Sequence, residues 1–245
     1  MNLLALDTST DTLSIAVRKG GADMLERSAP GGAHSSTALI PLIRDMMAEA
    51  GMAFDDLDLI AFGRGPGSFT GLRTACSVAQ GLAFGARQGA GVPVLPVDSL
   101  LAVAEQARAE HGVTQVLAVL DARMDEVYAG AYFWRDSLWQ SLGDYQLAAP
   151  EDVVAPAGFT VAGNAQSAYG ERLAPDARHV RALPTAGAML RLAPSLIAAG
   201  LAVPAKDALP LYIRDKVAQT TAEREQARLA AAQAASSQPS GHQPR

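Results

Sequence analysis

The apolar positions of the chain repeat with two periods, one typical of strands and the other of helices. Residues 3–6 form a short apolar run that ends at Asp7, and Leu13, Ile15 and Val17 then alternate with small or polar residues. This pattern predicts two strands joined by a hairpin, with a third strand available in residues 22–27. The elements predicted to follow are a helix over 36–50, a strand over 57–62, a helix over 72–86, a strand over 92–97 and a helix over 99–110.

The same pattern restarts in the second half of the chain. The apolar run 116–120 ends at Asp121, and Asp125 follows Asp121 by four residues as Asp11 follows Asp7. Further strands are expected over 127–133 and 139–147, and a strand, glycine turn and helix from residue 160 onward. The repetition predicts an α/β fold of two lobes, residues 1–112 and 113–215, each a mixed sheet covered by helices. Residues 216–245, rich in Ala, Glu, Arg and Gln and then polar, are expected to be a helical and then disordered tail.

Residues 63–73, with the sequence GRGPGSFTGLR, form a glycine-rich turn between a predicted strand and a predicted helix. Such a turn can hold an anion on its backbone N–H groups and on the helix N-terminus. The known phosphate motifs do not fit, because Leu72 stands where a Walker loop needs Lys and Thr70 stands where a dinucleotide fingerprint needs its third Gly. Two interpretations remain open: an anion cradle, or a tight turn with no ligand, in which Ser68 caps the helix.

The two aspartates that end the apolar runs suggest a cleft between the lobes. In that interpretation Asp7 and Asp121 face a nucleotide phosphate through Mg²⁺ or water. The candidate residues of such a nucleotide cleft are Asp7, Thr8, Ser9, Gly65, Gly67, Asp121 and Gly163. In the alternative interpretation both aspartates are turn formers that accept hydrogen bonds from their own backbone N–H groups.

Composition narrows the function classes. The 245 residues carry a net charge of −5, which argues against a broad basic face, so any contact with RNA is expected to be indirect, through another subunit. The single cysteine, Cys76, excludes an internal disulfide. The four histidines are far apart in the sequence, so no metal site is expected. No signal peptide or membrane span is recognisable, so the prediction is a cytoplasmic protein that does not enter a membrane.

Two helices offer faces that could serve the core or a partner. The helix over 72–86 carries Ala75, Ala79 and Ala83 on one stripe, which would permit close helix–helix contact. The helix over 36–50 has an apolar stripe that contains Met46 and Met47, and methionine adapts well to partner surfaces. Periodicity alone leaves both interpretations open.

Six segments in a fixed order resemble the TsaB (YeaZ) family over residues 1–215. The segment 63–73 is the most specific of them, and the other five are short. The segments are LALDTST (4–10), HS (34–35), GRGPGSFTGLR (63–73), DARMDEVY (121–128), VAGN (161–164) and LYIR (211–214). The resemblance implies the actin-like ATPase fold, shared by heat-shock chaperones and sugar kinases.

The resemblance further implies a subunit of the bacterial machinery that makes N6-threonylcarbamoyladenosine at position 37 of tRNAs reading ANN codons. In that family the chain is not itself catalytic and forms a heterodimer with the TsaD-type transferase through helices of the first lobe, which a TsaE-type ATPase then joins. A homodimer is expected in the absence of the partner, and binding of ATP or ADP is expected to be weak at most. The implied interface residues are Leu39, Leu42, Ile43, Met46, Met47, Leu72, Arg73, Ala75, Cys76, Ala79 and Leu82. The alternative function is an independent ATP-dependent phosphotransferase of the same fold.

Overall fold

The computed structural model describes residues 1–32 and 35–214, which contain two β-sheets and five α-helices. The strands of the first sheet are β1 (Leu3–Asp7), β2 (Thr12–Arg18), β3 (Leu25–Pro30), β4 (Leu59–Gly65) and β5 (Val94–Asp98). Those of the second are β6 (Gln115–Arg123), β7 (Glu126–Arg135), β8 (Leu138–Ser141), β9 (Gln146–Ala148), β10 (Thr160–Gly163) and β11 (Arg178–Arg181). The helices are α1 (Ser35–Glu49), α2 (Phe69–Gly85), α3 (Ser99–His111), α4 (Gln166–Tyr169) and α5 (Ala186–Ala198).

The two sheets have the same strand order. The first runs β3-β2-β1-β4-β5 and the second runs β8-β7-β6-β10-β11, with β9 paired to β7. In each sheet an antiparallel meander of three strands is continued by two parallel strands. The predicted architecture, two lobes that each contain a mixed sheet with helices, is confirmed.

The central strand β1 is buried on both of its faces. Leu4 and Leu6 belong to a core shared with α1 and α2, whereas Leu3 and Ala5 belong to a core shared with α5. This division follows from the alternation of side chains along a strand. It also explains why β1 reads as a continuous apolar run, because a strand covered by helices on both faces has no polar side.

Two helices cross between the sheets. Helix α3 follows the first sheet in sequence but packs Leu100 and Val103 against Val116 and Tyr132 of the second sheet. Helix α5 follows the second sheet but packs its apolar residues, including Met189, on the first sheet. The predicted boundary between the two lobes near residue 112 stays a prediction. Residues 1–213 form one compact unit, in which each sheet is covered by a helix from the other half of the chain.

Several predicted element bounds were wrong around the glycines. The predicted strand 57–62 lies instead at Leu59–Gly65, because Gly65 still pairs with Asp98 across a bulge. Helix α2 begins at Phe69, three residues before its predicted start, with Ser68 as its N-cap. The helix predicted after β10 is the single turn α4. The glycine-rich turn therefore has only three residues, 66–68, outside a regular element.

Some predictions lie outside the described residues. These are the tail 216–245 and His34 of the HS segment. Within the described ranges, no helix has both the length and the apolar character that crossing a membrane requires.

Candidate functional site

The glycine-rich turn lies directly on the end of β1. The Ser68 N–H donates to the Ser9 carbonyl at 2.7 Å, and the Thr8 hydroxyl donates to the Gly71 carbonyl at 2.6 Å. A Cβ atom at Gly71 would lie 1.8 Å from the Thr8 carbonyl oxygen, and one at Gly67 would lie 2.5 Å from the Ser9 carbonyl oxygen. Only glycine permits this backbone approach. The turn is thus packed against the chain's own backbone.

Asp7 is fully buried beneath that turn. Its Oδ1 accepts hydrogen bonds from the Ser9 N–H at 2.9 Å and the Ser9 hydroxyl at 2.8 Å. Its Oδ2 has no hydrogen-bond partner among the described residues, and a Cβ atom at Gly63 would lie 1.8 Å from it. Burial raises the pKa of Asp7 to about 7. The carboxyl group is therefore a core group, without open space in front of it.

The Asp121 carboxylate accepts hydrogen bonds from neighbouring residues of the second lobe. Its Oδ1 accepts from the Tyr169 hydroxyl and from the Arg123 N–H, both at 2.8 Å, and its Oδ2 lies 3.2 Å from Arg123 Nη1. The Asn164 side-chain oxygen accepts from the Asp121 N–H at 2.9 Å. Asp7 and Asp121 each accept from the N–H two residues later, which is the turn-forming role of aspartate.

A small cleft of about 250 Å³ separates the two lobes. Its lining consists of Thr10, Asp11, Thr12, Asp121, Asn164, Ser167, Ala168, Arg181 and Leu183. Of the seven residues predicted for a nucleotide cleft, Asp121 lines this space. Asp7, Thr8 and Ser9 are buried instead. Asp11 of this lining pairs with the Arg123 guanidinium at 2.6 Å.

The predicted glycines have packing roles. A Cβ atom at Gly163 would lie 1.8 Å from the Val119 carbonyl oxygen, and one at Gly65 would lie 2.5 Å from the Leu211 carbonyl oxygen. Each glycine therefore lets two backbone segments of this chain touch. The sequence-based prediction missed Asn164 and Tyr169; Asn164 directly follows Gly163, but nothing in the local sequence links Tyr169 to Asp121.

Two N–H groups at the end of β1 and in the glycine-rich turn, those of Ser9 and Ser68, already donate within the chain. Among residues 1–32 and 35–214, no three His, Cys, Asp or Glu side chains come together as a metal-binding group.

Most residues predicted for the partner interface lie in the core of the chain, and their role in an interface stays a prediction. The buried ones are Leu39, Ile43, Met46, Met47, Leu72, Ala75, Cys76 and Ala79, whereas Leu42 and Leu82 are partly buried. The apolar stripes of α1 and α2 face each other and the first sheet, so they fill the core of this chain. Arg73 alone of the predicted set is exposed.

The exposed faces of the same helices carry a different set of residues. Ile40 on α1 and Phe84 on α2 are large apolar side chains that are 46% and 56% exposed. Gly81 and Gly85 also lie on the exposed side of α2, and a Cβ atom at either would have no atom within 4 Å. Packing inside the chain therefore does not require glycine at these two positions.

An aromatic cluster marks the start of α2. The Phe69 and Tyr212 ring centroids are 5.1 Å apart, and the Arg73 guanidinium lies 3.8 Å above the Phe69 ring. Arg73 Nε donates to the Tyr212 hydroxyl at 3.1 Å. These contacts hold the 211–213 segment beside α2.

Comparison with known proteins identifies relatives for this arrangement. A family model described as TsaD, tRNA N6-adenosine threonylcarbamoyltransferase, matches residues 29–240. The protein "tRNA threonylcarbamoyladenosine biosynthesis protein TsaB" of Haemophilus influenzae is 34% identical over 230 residues, covering 89% of this chain and 95% of that protein. The protein of the same name from Escherichia coli is 32% identical over 229 residues, covering 89% and 96%.

A solved structure agrees with these sequence relatives. YeaZ from Pseudomonas aeruginosa superimposes with a TM-score of 0.79 at 40% identity, covering 86% of this chain and 99% of that one. The agreement extends over nearly the whole length of each relative, so it includes both lobes and the glycine-rich turn. The chain therefore belongs to the TsaB (YeaZ) family.

Proposed function

We propose that this protein is a non-catalytic subunit that binds and activates a TsaD-type transferase in the N6-threonylcarbamoylation of tRNA adenosine. The observation that carries the proposal is the glycine-rich turn, the family's most specific segment, packed on the end of β1 with its Ser68 N–H already bonded. A site that is filled by its own chain suits a docking subunit better than an enzyme.

The docking surface we propose is the exposed side of α1 and α2. Glycine inside a helix costs about 1 kcal/mol relative to alanine. Gly81, in the interior of α2, carries that cost without any contact inside the chain that requires it. A helix of the partner, packed closely over Gly81 and over Gly85 at the end of α2, would supply the reason for these glycines.

Calorimetry with the TsaD-type subunit of the same organism tests this proposal. We expect a complex at micromolar concentrations, and its absence with both proteins folded would refute the proposal. Gly81→Gln should leave the chain folded, because there is open space at that position. It should nevertheless weaken binding at least about tenfold, since overpacking a close interface costs on the order of 1–3 kcal/mol. Ala109→Gln on the exposed side of α3 is the control, and its affinity should match that of the unaltered chain.

The proposal also includes further partners. We propose that a TsaE-type ATPase joins the pair, that tRNA contact falls mainly to the other subunits, and that the chain forms a homodimer through α1 and α2 when the transferase is absent. The acidic net charge of −5 supports an indirect role toward tRNA. We propose no tightly bound cofactor and at most weak binding of ATP or ADP.

The alternative is an independent ATP-dependent phosphotransferase. It would use Asp121 in the 250 Å³ cleft, which is the one predicted cleft residue that lines that space. The burial of Asp7 counts against it, since the second carboxylate is not available to a ligand. Turnover of ATP by the isolated chain, lost in Asp121→Ala, would favour this alternative over the docking role.

A further inference from the structure

Asp98 lies where the glycine-rich turn, α3 and the second lobe meet. It is the last residue of β5 and occupies the N-cap position of α3, yet its side chain makes no capping bond. Aspartate at an N-cap ordinarily stabilises a helix by about 1 kcal/mol through such a bond. Here the carboxylate is used for two tertiary contacts, with Arg64 and with Tyr145.

The first contact is with the glycine-rich turn. Arg64 Nε pairs with Asp98 Oδ1, and the Asp98 side chain is only 18% exposed. The carbonyl oxygen of Arg64 accepts from the Leu211 N–H at 2.6 Å. Arg64 is thus fixed at both ends, by its guanidinium and by its backbone, one residue before the Gly65–Pro66 step that leads into α2.

The second contact reaches into the second lobe. The hydroxyl of Tyr145, between β8 and β9, donates to Asp98 Oδ2. Burial and the nearby Asp98 carboxylate raise the pKa of Tyr145, so its hydroxyl keeps its proton. A Cβ atom at Gly130 of β7 would lie 3.0 Å from the Tyr145 ring. Glycine weakens a strand interior and is found where another group approaches closely. Two contacts therefore fix the position of the Tyr145 ring, the bond of its hydroxyl to Asp98 and its packing on Gly130.

We propose that Asp98 is a positioning residue, through which Tyr145 of the second lobe sets the orientation of Arg64, the glycine-rich turn and the start of α2. The proposal rests on the docking role given above, because α2, whose start is held in this way, carries part of the surface proposed for the transferase. It adds a residue-level link between the second lobe and that surface.

Hydrogen–deuterium exchange of the isolated chain tests the link without a partner. Tyr145→Phe removes only the hydroxyl, and we expect faster exchange in peptides covering residues 63–73. Tyr169→Phe is the matched control, since it also removes a hydroxyl bonded to an aspartate, but the partners of that hydroxyl are Asp121 and the Glu126 carbonyl, both in the second lobe. Unchanged exchange over 63–73 in Tyr145→Phe would overturn the proposal, whatever the function of the chain.

Binding to the TsaD-type subunit supplies the second measurement. In the unaltered background Tyr145→Phe should weaken binding by about three- to thirtyfold, the usual range for coupling through intermediate residues. In an Arg64→Ala background the same substitution should change the affinity less than about twofold, because the link to the turn is already broken. Equal losses in both backgrounds would contradict the proposed route. Failure of the unaltered chain to bind would instead contradict the docking function, with the exchange measurement still deciding the link.

Discussion

At the scale of single residues, Asp7 shows how a polar position in a recognisable motif can be a core group. Its Oδ1 is satisfied by Ser9, while Oδ2 is buried without a hydrogen-bond partner among the described residues. Burial disfavours the charged form of such a carboxylate and raises its pKa. Its ionisation therefore opposes folding at neutral pH.

The Asp7→Asn variant tests this ionisation. The pKa of Asp7 rises from 3.8 to about 7 on folding, so the folded state holds a proton that the unfolded state has lost between these values. Stability from this group is thus greatest at low pH and falls as pH rises toward 7, by up to about 1.4 kcal/mol per pH unit. Asparagine cannot ionise and should lack this decline. Urea unfolding of both proteins from pH 5 to pH 8 measures it, and parallel pH profiles would contradict the assignment.

At the scale of elements, α2 contains glycines of two kinds. Gly71 in its first turn touches the Thr8 carbonyl, whereas Gly81 near its C-terminal end faces open space. The residue type is the same at both positions. Only the packing of α2 on the end of β1 distinguishes them.

Replacing each glycine by alanine should change stability in opposite directions. Gly71→Ala forces a Cβ atom onto a backbone oxygen and should destabilise the fold by about 1–3 kcal/mol. Gly81→Ala restores helix propensity without a clash and should stabilise it by about 0.5–1 kcal/mol. Thermal unfolding of the two variants in the same buffer measures both. A loss of stability in Gly81→Ala would show that the chain itself needs that glycine.

At the scale of the whole molecule, the exchange of α3 and α5 ties the two sheets together. Glu105 on α3 is buried and accepts from Arg191 Nε of α5 at 3.1 Å and Trp139 Nε1 of β8 at 3.0 Å. Arg108 donates two further bonds to the same carboxylate. This cluster joins elements from both halves of the chain.

Removing the Glu105 carboxylate should destabilise the whole chain. Glu105→Leu removes the carboxylate shared by Arg108 and Arg191 and leaves Arg191 only its bond to the Gln106 side chain, so we expect a loss of about 3 kcal/mol. Glu110→Leu on the same helix is the control, because that glutamate is exposed and should cost less than about 1 kcal/mol. Chemical denaturation measures the difference between the variants. Equal effects would show that the buried cluster adds nothing beyond a surface pair.

The exchanged helices also predict that the first half of the chain does not fold alone. A fragment of residues 1–112 keeps α3 without the second sheet that covers Leu100 and Val103, and it lacks α5 over Leu3 and Ala5. Both apolar faces would then contact water. A dispersed amide spectrum from this fragment in solution NMR would contradict the prediction.

The sequence by itself determined the fold class, the duplicated order of strands and the family. These depend on local periodicity and on short motifs such as residues 63–73, and both can be recognised without knowledge of the tertiary contacts. It placed Ser68 at the helix start correctly, because capping is a contact within one turn.

Only the tertiary structure decided the roles of individual site residues. Periodicity shows that Leu39, Met46 and Ala75 share an apolar face with their helix neighbours, but not whether that face meets the core or a partner. Asp7 and Gly71 likewise depend on contacts between segments distant in sequence, across 56 residues from Asp7 to Gly63 and 63 from Thr8 to Gly71. The packing of α3 and α5 on the sheet of the other half likewise depends on contacts between segments distant in sequence. Burial is a property of the assembled chain, so the chemistry that depends on burial could not be read from local pattern.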